Sequence, residues 1–164
     1  MVLRSSNVFE GHLRFDDNVY VDIDVSEKII VRNGDILICV RNGSRDLIGK
    51  CALIDEKSQG MTFGAFMAVF RTPFYAFLFH QFKSGMIKRQ IHEHLGATIN
   101  QITNKSLNSF SIRFPEDEKE RTAIATILSD MDAEITALET RRDKTRDLKQ
   151  GMMQELLTGR IRLI

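Results

Sequence analysis

The sequence predicts an α+β chain: a mixed α/β domain over residues 1–114, then a long coiled-coil-type helix over residues 115–164. Three observations carry this. Before Pro115, short β-branched and aromatic runs alternate with turn residues. Two helical patterns begin near Pro73 and Ser84. Beyond Pro115, residues 116–158 hold no proline and a single glycine, and their apolar residues recur in alternating steps of four and three.

The expected strands are Val19–Ile23, Lys28–Val31, Ile36–Arg41, Lys50–Ile54, Phe63–Phe70 and Phe110–Phe114. Arg32-Asn33-Gly34-Asp35 is the clearest turn, because Asn-Gly supplies positive φ. Phe74, Phe77, Leu78 and Phe82 follow Pro73 at helical spacing, and proline is a good first-turn residue. Ser84 caps a second helix with Met86, Ile87 and Ile91 on one side and Lys88 and Arg89 on the other. In the third, Glu116-Asp117-Glu118 suits the start, and Thr158-Gly159 with Arg160 and Arg162 suits the end.

That third helix carries Ile124, Leu128, Met131, Ile135 and Leu138, lapses at Arg142 and Lys149, and resumes at Leu148, Met152 and Leu156. About 40 residues at 1.5 Å each span roughly 60 Å, more than the body of so small a domain. Some of it is expected to project. An exposed apolar stripe needs cover, so pairing with another helix is expected, in preference to a break at Gly151 and a return onto its own domain.

Composition excludes several classes. Hydrophobic residues make up 43% and charged ones 27%, with two prolines and ten glycines, so disorder and low complexity fail. The apolar window Met61–Phe82 is split by Arg71-Thr72-Pro73 into pieces too short to cross a bilayer, so no membrane span is expected. Cys39 and Cys51 lie in apolar strand-like surroundings and no basic-then-apolar leader opens the chain, which together suggest a reducing, cytoplasmic setting. Both thiols read as small buried hydrophobes.

The net charge of +1 is unevenly spread: −3 over residues 1–35, +6 over 36–114 and −2 over 115–164. The middle is a basic island, the kind of footprint that meets phosphate. Other chemistry fails on spacing. Gly43 to Cys51 resembles a phosphate loop, but has five residues between its glycines and no hydroxyl after Lys50. His92-Glu93-His94 puts two imidazoles off one helical face without a third ligand, so no metal and no cofactor are expected. No Ser-His-Asp order, nuclease acid pair with lysine or methyl-donor glycine loop is present, and no catalytic residue is assigned.

What remains is a set of basic and amide side chains on expected loops: Arg41, Asn42, Ser44, Arg45, Lys83, Lys88, Arg89, Thr98, Asn100, Gln101 and Lys105. Guanidinium matches guanine O6/N7, carboxamide matches adenine N6/N7, and Lys neutralises phosphate. Lys83, Lys88 and Arg89 suit phosphate; Arg45, Asn100 and Gln101 suit base edges. Composition alone favours an ordinary solvated surface and spacing does not decide between them, which also leaves open an assembly module that pairs through its helix without touching DNA.

Several stretches nevertheless occur in a telling order. They are Val2-Leu3-Arg4-Ser5-Ser6-Asn7 with Val19-Tyr20-Val21, Gly34-Asp35-Ile36-Leu37 leading to Arg41 and Gly49-Lys50, and Gly96-Ala97-Thr98 before Ile102. Phe114-Pro115, Ile124-Ala125-Thr126-Ile127-Leu128-Ser129-Asp130-Met131-Asp132 and Leu148 through Arg160 complete the series. In this order they resemble the specificity subunit of type I restriction-modification systems, over nearly the whole chain. The resemblance implies one target recognition domain and one conserved-region helix, half of a subunit that usually carries two of each. It further implies double-stranded DNA, methyltransferase subunits and restriction subunits as partners, and helix pairing in a homodimer or with a second half-subunit. Two departures stand out: the domain is short at its start, and Arg121 replaces a Gln common in the family.

Overall fold

The computed structural model describes residues 1–95 and 100–163, which divide into two compact units, Met1–Thr122 and Ala123–Ile164. The division falls inside the last helix, past the composition boundary at Pro115.

In the first unit the organising strand is β4 (Ile36–Cys39), an unbroken apolar run with every residue buried. Such a run needs cover on both faces and partners on both edges. It has both. β4 pairs antiparallel with β5 (Cys51–Leu53) and with β7 (Met67–Phe70), giving the order β5-β4-β7. Alternation sends Leu37 and Cys39, with Ala52 and Met67 opposite them, into one buried cluster with Leu3, Val8, Val31 and Ile54. Each buried Val, Leu, Ile or Met side chain in it contributes about 1.5–3 kcal/mol by leaving water.

Small strands close that cluster: β1 (Val2–Leu3) runs parallel to β6 (Thr62–Phe63), and β2 (Val8–Phe9) forms a hairpin with β3 (His12–Leu13). The alternate set of sheet residues faces helices. Helix α1 (Tyr75–Lys83) lies against β5, and its Phe82 ring meets Phe70 edge-on at 5.4 Å. Helix α2 (Gly85–His94) starts where expected, with Ser84 Oγ accepting from the Ile87 N–H, and buries Ile87 and Ile91. A Cβ on Gly49 would stand 2.3 Å from Ile91 Cδ1, and Gly49 has φ +84°, so this turn takes only glycine. A short helix α3 (Asn104–Ser109) follows, capped by Thr103.

The Arg32–Asp35 turn forms with Gly34 at φ +84°. Asp35 is fully buried, and its carboxylate accepts from Arg71 Nε and Nη2, both at 2.7 Å, and from the Arg32 N–H at 2.8 Å. The triplet that divides the apolar window therefore holds β4 and β7 to this turn. This bidentate contact keeps the Arg71 guanidinium above its usual pKa.

Four expected strands change. Of Val19–Ile23, only Val19 bridges, to Val2, while Tyr20 and Ile23 are exposed. Lys28–Val31 opens as a 3-10 turn (Glu27–Ile29) capped by Ser26, leaving Ile30 to bridge Thr62. Phe63–Phe70 is cut by a turn at Gly64–Met67, so its halves join different sheets. Phe110–Phe114 pairs with no strand among the described residues; at Ser111 the Gln90 carboxamide takes both backbone hydrogen bonds instead, Nε2 donating to the carbonyl and Oε1 accepting from the N–H, both at 2.8 Å.

Helix α4 (Glu118–Leu157) runs 40 residues without a break at Gly151. Asp117 Oδ1 caps its start by accepting from the Lys119 N–H. In the first unit, Arg121 lies 4.9 Å from the Phe74 ring and 4.7 Å from Phe114, and donates to the Pro115 and Glu116 carbonyls. In the second, Gly159 at φ +72° ends the helix, with the Arg160 and Ile161 N–H groups returning to Glu155.

Removing Arg71 would strand a buried carboxylate, so Arg71→Ala should lower unfolding free energy by about 3 kcal/mol. Urea denaturation tests this; a loss under about 1 kcal/mol, the scale of an ordinary surface ion pair, would show that the pair does not hold the turn.

Candidate nucleic-acid interface

Two loops distant in sequence meet beyond the end of β4. The chain leaves β4 at Val40, whose carbonyl accepts from the Ile102 N–H at 2.9 Å; Arg41 then bridges Gln101, and the Asn42 N–H donates to the Asn100 carbonyl. Side chains complete the join. Asn100 Nδ2 donates to the Gly43 carbonyl at 2.9 Å, Asn42 Oδ1 accepts from the Ser44 N–H at 3.0 Å, and Asn42 Nδ2 donates to Ser5 Oγ at 3.2 Å. Arg45 opens a 3-10 turn (Arg45–Leu47) and donates through Nη2 to the Leu95 carbonyl at 3.4 Å, tying the loop to the residue that caps α2.

The structure therefore brings Arg41, Asn42, Ser44, Arg45, Asn100 and Gln101 into one cluster, and divides the work among them. The amide groups of Asn42 and Asn100 are occupied in shaping the loops. Arg41 and Gln101 are exposed, and Gln101 makes no side-chain hydrogen bond to another described residue. Arg41 holds its guanidinium 5.1 Å from the centroid of Phe66. At an exposed site such a contact is worth only about 0.5–1 kcal/mol, so the arginine is available to a stronger acceptor.

The remaining candidates sit elsewhere in the same unit. Lys88 and Arg89 are exposed on α2; Lys83, half-buried at the end of α1, places Nζ 5.2 Å from the Phe79 ring. The charges of both lysines lower the Cys51 thiol's pKa, against the larger effect of its burial. Lys105 lies on α3 and lines a groove of about 790 Å³ beside β7, together with Gln101, Asn104, Lys28 and Arg71. Thr98 lies outside the described residues.

Phe66 and Lys28 join these surfaces without a local signal. Phe66 falls inside an expected strand, and nothing local places Lys28 on the groove that Lys105 reaches from far along the chain. His92 and His94 occupy the last turn of α2, each Nδ1 against the carbonyl four residues back, and His94 packs on Phe110. Among the described residues no group of three or more His, Cys, Asp or Glu comes close enough to hold a metal ion, and no helix is long and apolar enough to cross a membrane.

In the second unit, Leu128, Met131, Ile135, Leu138, Leu148 and Met152 are exposed, while Ile124 and Leu156 are half-buried. The 4-3 stripe thus faces solvent along α4, interrupted where Arg142 and Lys149 stand.

The segment likened to a phosphate loop is built differently. Cys51 is buried in β5, and burial pushes its thiol up to about 12. Burial also raises Cys39, whose thiol donates to the Arg41 carbonyl. Because Cys51 pairs with Ile38, Cys39 projects from the opposite sheet face. Iodoacetamide at pH 8 should therefore modify neither thiol in the folded protein and both in urea, as read by mass spectrometry; rapid native labelling would contradict this burial.

Comparison with known proteins gives a consistent picture. Residues 4–145 match the family model described as the type I restriction modification DNA specificity domain. A curated relative, the type I restriction enzyme EcoKI specificity subunit of Escherichia coli (strain K12), is 27% identical over 165 residues, covering 98% of this chain and 35% of its own length. The fold resembles the HsdS subunit from Thermoanaerobacter tengcongensis, with TM-score 0.65 and 17% identity over 93% of this chain and 40% of that one. It also resembles a chain from a study of complex assembly and conformational transition of the type I R-M system, with TM-score 0.67 and 18% identity over 93% and 41%. The chain spans between a third and half of the length of these proteins.

Proposed function

This chain belongs to the type I restriction modification DNA specificity domain family, and from that membership we propose that it reads one half of a split double-stranded DNA site. In this reading residues 1–114 are the target recognition domain, 115–164 pair with a second helix, and the assembly recruits methyltransferase and restriction subunits. The chain itself performs no catalysis.

The observation that carries the proposal is the joined pair of loops. Side chains that read base edges must be held on a rigid backbone, and here backbone bonds lock residues 40–42 to 100–102 while Arg41 and Gln101 stay exposed. Arg41 and Gln101 then read bases, Asn42 and Asn100 position the loops, and Lys88, Arg89 and Lys105 hold phosphate. Lys83, Ser44 and Arg45 are assigned to the rim of the same contact.

The helix supplies spacing. Ile124, Leu128, Met131, Ile135 and Leu138 of one α4 pack antiparallel on Leu148, Met152 and Leu156 of another, covering a stripe that is otherwise exposed. Two-fold symmetry converts two identical half-readers into a reader of inverted repeats, and about 60 Å of helix sets the gap between them.

Two measurements test these roles. On duplexes enriched from a random pool by the full chain, the double variant Lys88→Ala/Arg89→Ala should weaken every duplex alike and flatten the plot of log affinity against log salt by about two phosphates' worth. Gln101→Ala should instead relax preference at one position, by about 1–3 kcal/mol. An affinity indifferent to salt would favour the assembly module. Light scattering examines the helix: Met131→Asp with Ile135→Asp should halve the mass of the wild-type particle, and an unchanged mass would remove the pairing.

A further inference from the structure

The turn between β6 and β7 carries an aromatic side chain that the fold leaves out of its core. Phe66 is 52% exposed, yet its backbone is anchored on several sides. Its carbonyl accepts from both the Val40 and Arg41 N–H groups, at 2.9 and 3.2 Å. Beside it, Gly64 donates to the Leu3 carbonyl and accepts from the Met67 N–H, each at 2.9 Å. A large ring on a fixed backbone has only two side-chain torsions to lose on binding, so its contacts are retained almost undiminished.

The surroundings say what it could meet. Ala65 and Met67 line both the groove beside β7 and a second hollow of about 480 Å³ that includes Arg4, Ser5 and Ser6, so the turn forms a wall common to two concave surfaces. Arg41, whose guanidinium lies 5.1 Å from the centroid of this ring, bridges Gln101. A ring at this place has nothing to offer phosphate; on a duplex its favourable partner is the base stack.

We propose that Phe66 is a wedge that enters one base step of the duplex, while Arg41 leaves the ring for the neighbouring phosphate. This rests on the DNA-reading role assigned above. The exposed cation–π contact is weak, and a charge-assisted bond to phosphate replaces it readily. Such a wedge adds selectivity that no hydrogen bond supplies, because pyrimidine–purine steps unstack most easily.

The test uses the full chain and the most enriched duplex from the random pool, probed with permanganate for unstacked thymines and diethyl pyrocarbonate for unstacked purines. Wild type should render one step hyper-reactive. Phe66→Ala should abolish that reactivity and weaken binding about tenfold or more, with an unchanged melting temperature because the ring is exposed. Phe66→Leu, which keeps an apolar wedge, should restore most of the reactivity. A duplex bound equally well by Phe66→Ala, or bound by wild type without any reactive step, would overturn the wedge and leave the DNA-reading role standing. Failure to enrich any duplex would remove both.

Discussion

Strand β4 is buried on both faces and paired along both edges, and the layout of the first unit follows from satisfying it. Its Leu37 and Cys39 require the small strands at the N-terminus, and its Ile36 and Ile38 require the helices after Pro73. Its two ends are fixed by different means. At the start, a buried carboxylate held bidentate by Arg71 fastens the Arg32–Asp35 turn to the far end of β7. At the exit, the backbone passes directly into the loop that meets residues 100–102. The candidate interface thus continues directly from a strand that is fully buried and paired on both edges.

The same economy recurs in how polar side chains are used. Asn42, Asn100, Gln90 and Ser84 all satisfy backbone groups that the secondary structure leaves open. Unpaired backbone groups at such joins are costly, and a carboxamide can donate and accept in one place. That economy separates residues that hold the interface from those free to contact a ligand, a distinction that residue type alone does not make. Arg121 serves the fold in the same way: its guanidinium lies against the Phe74 and Phe114 rings and donates to the Pro115 and Glu116 carbonyls just ahead of α4.

Helix α4 poses the opposite problem. Its apolar stripe has the spacing of a coiled-coil seam and lies largely exposed in a single chain. Nothing within its own unit covers residues such as Met131, Ile135 and Leu138, each more than half exposed. An apolar seam of this length exposed to water is unfavourable, and a second seam laid on it would relieve that cost.

By itself the sequence determined the elements whose cause is local. The helix starts at Ser84 and near Pro115, the stop at Gly159, the turn at Gly34 and the core strand at Ile36 were each legible from capping chemistry, φ requirements or apolar runs. The ordered motifs likewise pointed to the family. What only tertiary structure decided was everything set by a distant partner. The 110–114 segment became extended chain clamped by Gln90 instead of a strand, and Phe63–Phe70 became two strands in two sheets. Asn100 became a loop clasp, and Phe66 was left exposed beside Arg41. A capping hydroxyl or a glycine at positive φ acts within a few residues, and so leaves its mark in local spacing. A strand's partner and a loop's clasp are chosen by chain returning from far away, and that choice leaves none.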